Sequence, residues 1–277
     1  ELIDGLVDYY NGSVTKVGPG AITLTEIASD KVSLLVGGGT GHEPIYHGLI
    51  GPGMADGAAC GDIFAAPPPN IILDVARAVN KGQGVLFLYG NYAGDVMNFK
   101  IAAQLAAAEG IRVETVLIWD DVASAPPSDK EGRRGIAGLI PIVKLAGAAA
   151  DKAKDLDELV SLVTLARDNT RSVGVALSPG SIPATGMPTF ELDEDSIGIG
   201  MGIHGEQGVG VEKMMTADAL ADKLVDLVLA DDLPIGSGDE VLVLINSLGS
   251  TTMMECLIVL KRVKAILTEK DIKIYDV

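Results

Sequence analysis

Basic charge, aromatic rings, cysteine and histidine are all in short supply in this chain. Lysine and arginine number 21 against 38 acidic residues, a formal charge of −17. That balance excludes the basic patches needed to track nucleic-acid phosphates, and it disfavours anionic membrane surfaces. The adjacent arginines Arg133 and Arg134 are too few for a polybasic patch. Aromatic residues make up 4% of the chain while hydrophobic residues reach 48%. The core must therefore be built from Ala, Val, Ile and Leu with many glycines, as in closely packed α/β layers. Cys60 and Cys256 lie far apart and give no disulfide framework, so a reducing cytoplasm is the expected setting. Neither cysteine has a cysteine or histidine close by in sequence. No apolar run reaches membrane-spanning length, and no basic segment leads into an apolar stretch as an export signal would. The sequence starts at Glu1 rather than Met, so a missing start is expected.

Of the three histidines, two sit in glycine-dense segments: Gly37-Gly38-Gly39-Thr40-Gly41-His42-Glu43-Pro44 and Gly198-Ile199-Gly200-Met201-Gly202-Ile203-His204-Gly205. Glycine beside histidine lets backbone come close to a small ligand while one reactive side chain stays exposed. The third, His47, lacks a motif partner and reads as structural or secondary.

Patterning predicts alternating strands and helices. Strands are expected at 32–36, 85–89, 113–119, 173–177, 197–203, 241–245 and 272–275. Helices are expected over 71–79, 96–106, 155–167, 216–229 (with a threonine N-cap) and 252–267. The fold class is thus α/β, with two domains of mixed or parallel sheets covered by helices. The expected domains are 1–170 and 171–277. The loop 125–132 is polar and expected to be mobile, and 178–188 reads as a rigid connection. Trp119 ends an apolar strand and should pack in the core.

Phosphate-binding motifs fail on inspection. From Gly37, both the P-loop and the dinucleotide fingerprint require glycine where His42 stands. Gly200, Gly202 and Gly205 do satisfy Gly-x-Gly-x-x-Gly, but Gly208 and Gly210 follow at once and no helix opens there. His42 and His47 are five residues apart with Pro44 between, one residue too long for a zinc-protease helix. Asn91-Tyr92-Ala93-Gly94-Asp95 is more promising. It follows a strand, as His42 does, so the two segments can meet at one end of one sheet, where open α/β sheets bind ligands.

Four segments, Gly37–Pro44, Asn91–Asp95, Gly132–Gly135 and Gly202–Glu206, occur in the same order as in one family. Together they resemble the substrate-binding K subunit of dihydroxyacetone kinases over essentially the whole chain. That subunit is longer at both ends, so this chain looks truncated, chiefly at its C-terminus. The resemblance implies a two-domain α/β fold and a homodimer. It also implies that His204 bonds covalently to a short ketose as a hemiaminal. His42 and Asp95 would handle protons, and Gly39, Thr40, Gly41 and Asn91 would line the substrate site. It implies no metal and no cofactor in this chain. ATP or ADP with Mg²⁺ belongs to a helical, nucleotide-binding L-type partner subunit or domain.

Two positions depart from the pattern. Gly90 stands where many members have a substrate-contacting lysine, and Gln207 where many have proline. Gly90 leaves room for a C4 ketose such as erythrulose. A ketose-binding transcriptional co-regulator is the alternative function, and retention of both His42 and Asp95 favours the enzyme. Quieter readings exist for each residue. His204 and His42 can serve as turn histidines, Asp95 as a helix N-cap, and Arg133 and Arg134 either as turn residues or as contacts for the nucleotide-bearing partner.

Overall fold

A computed structural model describes residues 1–277, which divide into two compact units. The first comprises Glu1–Trp119 and Gly138–Thr170, the second Asp120–Ala137 and Arg171–Val277. The chain thus passes from one unit to the other at Thr170 and Arg171. It also makes an earlier excursion, in which residues 120–137 join the second unit.

The first unit holds, in chain order, α1 (Leu2–Tyr9), β1 (Val14–Gly18), β2 (Ala21–Leu24), β3 (Ser33–Thr40), β4 (Gly57–Ile63), α2 (Pro69–Val79), β5 (Val85–Gly90), α3 (Ala93–Ala108), β6 (Val113–Ile118), α4 (Leu139–Ala150) and α5 (Leu156–Asp168). Its six strands form one sheet in the order β1-β2-β4-β3-β5-β6. The β4-β3-β5-β6 stretch is parallel, and the β1–β2 hairpin adds an antiparallel edge.

Two apolar layers enclose this sheet. One gathers Leu34, Val36, Leu86 and Leu88 against α4 and α5; the other gathers Leu35, Phe87 and Tyr89 against α2 and α3. Alternate residues of β3 and β5 thus serve opposite faces, the period-two rule applied to strands buried on both sides. That double burial explains why these strands read as near-continuous apolar runs, interrupted only by Ser33. Asp155 caps α5 through Glu158 N, and Trp119 is buried under the Arg167 guanidinium, 4.6 Å from the ring centroid.

The second unit holds β7 (Val175–Ala176), β8 (Ser196–Ile199), β9 (Gly210–Lys213), α6 (Ala217–Leu229), β10 (Glu240–Leu242), α7 (Met253–Glu269) and β11 (Lys273–Asp276). Strands β7-β8-β9 pair antiparallel, while β10 and β11 pair parallel. A small core of Ala221, Val263, Leu267 and Ile272 joins α6, α7 and the parallel pair. Thr216 caps α6, and Thr252 with Glu255 forms a capping box on α7.

Two sequence expectations need correction. The strand expected over 197–203 stops at Ile199, because Gly200 adopts φ +68° and turns the chain away. The strand at 173–177 shrinks to two residues. The polar stretch 125–132 contains a 3-10 helix, Pro127–Gly132.

Candidate functional site

Strands β3 and β5 are parallel neighbours, so the segments that follow them leave the same edge of the sheet. The chain goes from β3 to β4 on one side and from β5 to β6 on the other. Such a switch in winding direction opens a crevice beyond the strand ends. His42 and Asp95 are the chemical groups these segments carry.

The triple glycine before His42 lies inside β3 and is buried. A side chain on Gly38 would collide with the Tyr46 ring, and a Cβ on Gly39 would stand 2.7 Å from the Ala65 backbone nitrogen. These glycines therefore let the strand, the following loop and the 64–65 turn pack against one another. That contact is with protein, which the sequence pattern alone did not distinguish from contact with a ligand. Thr40 donates its hydroxyl to the Gly61 carbonyl at 2.7 Å.

The half-buried His42 ring packs on Phe64, with centroids 5.0 Å apart, and its Nδ1 lies 2.9 Å from the Gly39 carbonyl. A carbonyl oxygen only accepts, so Nδ1 carries the hydrogen. The neutral ring's lone pair is then on Nε2, a buried atom.

Asp95 lies in the first turn of α3 and is buried. The N-cap position belongs to Tyr92, so the capping role considered for Asp95 is not the one it has. Its charge reaches two buried phenols. Burial, and then the Asp95 carboxylate, push the ionisation of Tyr46 and Tyr89 well above the usual tyrosine value. Tyr46 comes from the loop after β3, so the His42-bearing loop and the start of α3 are close neighbours. The Asn91 backbone N–H donates to the Ile118 carbonyl at 2.9 Å, fixing the entry into that helix from Gly90.

In the second unit His204 sits in a tight loop that follows β8. Gly202 N donates to Glu206 O at 2.9 Å, and Gly205 N donates to Gly202 O at 3.0 Å. Glu206 binds His204 twice, through the backbone N–H at 2.9 Å and through ring Nδ1 at 2.9 Å. Burial raises the Glu206 carboxyl, but hydrogen bonds from the His204 ring and from the loop backbone outweigh it and bring it down to about 2. The group is therefore an anion at neutral pH and can only accept. Nδ1 must donate to it, which leaves the lone pair of neutral His204 on Nε2. The His204 side chain is 27% exposed.

Both arginines, read as turn residues or as partner contacts, are occupied within their own unit. Arg133 is wholly buried, with Nη1 and Nη2 on Asp231 at 2.9 and 2.6 Å; Asp231 also pairs with Arg171 Nε. An arginine so enclosed cannot reach another protein, so of the two readings the partner contact falls away for Arg133. Arg134 pairs with Asp121 at 2.7 Å and donates to the Gly200 carbonyl at 2.9 Å. It braces the loop that carries His204.

Residues 4–277 match the Dak1 domain. The chain belongs to the Dak1 family. Among curated members, the dihydroxyacetone-binding subunit of a PTS-dependent dihydroxyacetone kinase from Listeria innocua is 44% identical over 246 residues, covering 89% of this chain and 73% of that protein. The L-erythrulose kinase of Pectobacterium atrosepticum is 39% identical, covering all of this chain and 47% of its own length. Among solved structures, a dihydroxyacetone kinase operon co-activator superposes with a TM-score of 0.91 at 31% identity, over 99% of this chain and 85% of its own.

Within this Dak1 chain, sequence reasoning found the two glycine-flanked histidines and Asp95, assigned no role to Glu206 or Tyr46, and read Arg134 only as a turn residue or a partner contact. Glu206 had a signal, an acid two residues after a loop histidine. Arg134 and Tyr46 had none, because their partners are brought to them by the fold. Cys60, with no cysteine or histidine close by in sequence, gains a histidine neighbour through the fold: His47 Nδ1 is 3.3 Å from its Sγ.

Proposed function

We propose that the chain is the ketose-binding subunit of a dihydroxyacetone-type kinase and that His204 captures the substrate carbonyl. The observation that carries this reading is the Glu206 carboxylate on His204 Nδ1, which leaves Nε2 as the nucleophilic atom. A short ketose offers few atoms, so its non-covalent affinity is capped. A carbon–nitrogen bond overcomes that limit and selects a carbonyl over a polyol such as glycerol. In the step, the Nε2 lone pair bonds to the carbonyl carbon and the C=O π pair moves onto oxygen. The oxygen takes up a proton, and the ring gives up the Nδ1 proton, for which Glu206 is the adjacent acceptor. The product is a neutral hemiaminal.

His42, through Nε2, and Asp95 take the proton of the hydroxyl that attacks phosphorus. Gly39, Thr40, Gly41 and Asn91 line the substrate site. Phosphoryl transfer depends chiefly on positioning and charge stabilisation. In this reading the phosphoryl group comes from ATP, or from ADP recharged by a phosphotransferase relay, held with Mg²⁺ on a helical partner subunit or domain. The names of the relatives support this, as does the dihydroxyacetone kinase from C. freundii solved with AMP-PNP and Mg²⁺, 31% identical with a TM-score of 0.84. The active form is read as a cytoplasmic homodimer.

A second reading, a C4 ketose as substrate, is favoured by Gly90 and by similarity to erythrulose kinases. The co-activator superposes at least as well as the kinase, so fold alone does not separate regulator from enzyme. His42 and Asp95 favour the enzyme. Native mass spectrometry with dihydroxyacetone, erythrulose or glycerol tests these readings together. A one-ketose adduct with either ketone and none with glycerol is expected. Tighter capture of the triose would reject the tetrose reading, and absence of any ketose adduct would reject both.

A further inference from the structure

His47 takes no part in the chemistry above, yet it is only 2% exposed. Its ring lies between two side chains that the sequence keeps apart. Nδ1 is 3.3 Å from Cys60 Sγ in β4, and Nε2 is 3.3 Å from Glu43 Oε1. The same Oε1 accepts the backbone N–H of Gly41 at 3.0 Å. A line of contacts therefore runs from an inner strand of the sheet, through His47 and Glu43, to the peptide that precedes His42.

The protonation states follow from the surroundings. Burial, with the Glu43 charge adding to it, pushes the Cys60 thiol up to about 12, so it stays S–H. Burial lowers His47 below the usual histidine value, against the opposing pull of Glu43, so the ring is neutral at pH 7. Glu43 Oε1 already accepts from Gly41, so the ring hydrogen belongs on Nε2, facing it, and Nδ1 accepts from the thiol. The Nε2 approach is not straight enough for a full hydrogen bond and acts as an orienting charge–dipole contact. A protonated, enclosed thiol is not a nucleophile, so this Cys–His–Glu line is structural chemistry.

What it restrains is a glycine in the left-handed region. Gly41 has φ +101° and no side chain to limit its motion. A proton-transfer group next to such a residue needs outside support to stay within a fraction of an ångström of its working geometry. We propose that Glu43, His47 and Cys60 form a brace that fixes the Gly41 amide and aims the His42 imidazole, which makes His47 a positioning residue. The kinetic consequence rests on the role assigned to His42 in the proposed function; the brace itself does not.

The test uses the full chain with His47→Leu, which keeps apolar volume while removing both nitrogens, and with Glu43→Gln at the more exposed end. Two quantities are read: hydrogen exchange at the Gly41 amide by NMR, and kcat and KM of the assembled kinase. Gly41 exchange should rise in both variants, and kcat should fall about tenfold with KM and the His204 adduct unchanged. Unchanged Gly41 exchange in both variants overturns the brace, as does a loss of kcat that only follows a loss of Tm. If His47→Leu does not fold, Glu43→Gln decides alone. Faster Gly41 exchange in a chain that shows no kinase activity would sustain the brace while defeating the proposed function.

Discussion

His42, in the first unit, and His204, in the second, are each fixed through ring Nδ1 at 2.9 Å, but the fixing partner differs. At His42 it is the Gly39 carbonyl, a neutral dipole that sets the ring's tautomer and direction. At His204 it is the Glu206 carboxylate, whose full charge would also steady the positive charge the ring gains if Nε2 bonds to a carbonyl as proposed. A carbonyl partner suits a group that accepts a proton and passes it on. A carboxylate partner suits a nucleophile. In the proposed function, two imidazoles anchored through the same ring atom are thus given different tasks by what stands behind them.

The largest test of that contrast is to remove each ring. His204→Ala should abolish the ketose adduct and lower kcat/KM by at least about a thousandfold. His42→Gln should keep the adduct and lower kcat by about a hundredfold, the range of general acid–base catalysis. An adduct that survives in His204→Ala, or disappears in His42→Gln, would reverse the assignment. Asp95→Asn should act like His42→Gln, with turnover reduced by roughly a hundredfold and ketose binding little changed. Equal losses of binding and turnover would instead indicate a packing role for this buried acid.

The smallest and sharpest effect concerns Glu206. Glu206→Gln keeps the size but removes the charge, so adduct formation should slow by about tenfold while the fold persists. The pH dependence has a definite sign. The folded-state value is depressed to about 2 from an ordinary 4.5, so the stabilisation is complete above pH 4.5 and is lost only as pH falls toward 2. Exchange protection of the His204 amide should therefore be independent of pH from 8 down to about 5. Protection lost near neutrality would show that the carboxylate is not the anchor.

The first unit was legible in sequence where strands are buried on both faces. Val32–Val36 and Val85–Tyr89 are apolar runs ended by glycine, and they are the central strands. The β1–β2 edge and β4 were not found. β4 reads Gly-Ala-Ala-Cys-Gly-Asp-Ile, small residues with no amphipathic signal, because α2 packs close on it. In the second unit, alternation from Ile197 to Ile203 overstated β8, since glycine at every other position cannot reveal which of them turns the chain. Local capping was readable, as at Thr216 and Thr252. The groups that orient the two imidazoles were only partly so. The link from Arg134 to Gly200 spans 66 residues, and no spacing rule reports a contact made by the fold.

The buried Arg133–Asp231–Arg171 cluster has a consequence for how the protein is made. Its first member belongs to the excursion at 120–137, which leaves the first unit after β6 and returns at α4. During synthesis the first unit can close once residue 170 has emerged, with Arg133 still awaiting its counter-charge. That guanidinium stays in water until the ribosome delivers Asp231, about a hundred residues later. Severing the polypeptide at 170 would therefore not yield two self-sufficient halves, because the downstream piece would carry an acid whose principal basic mate had been left upstream.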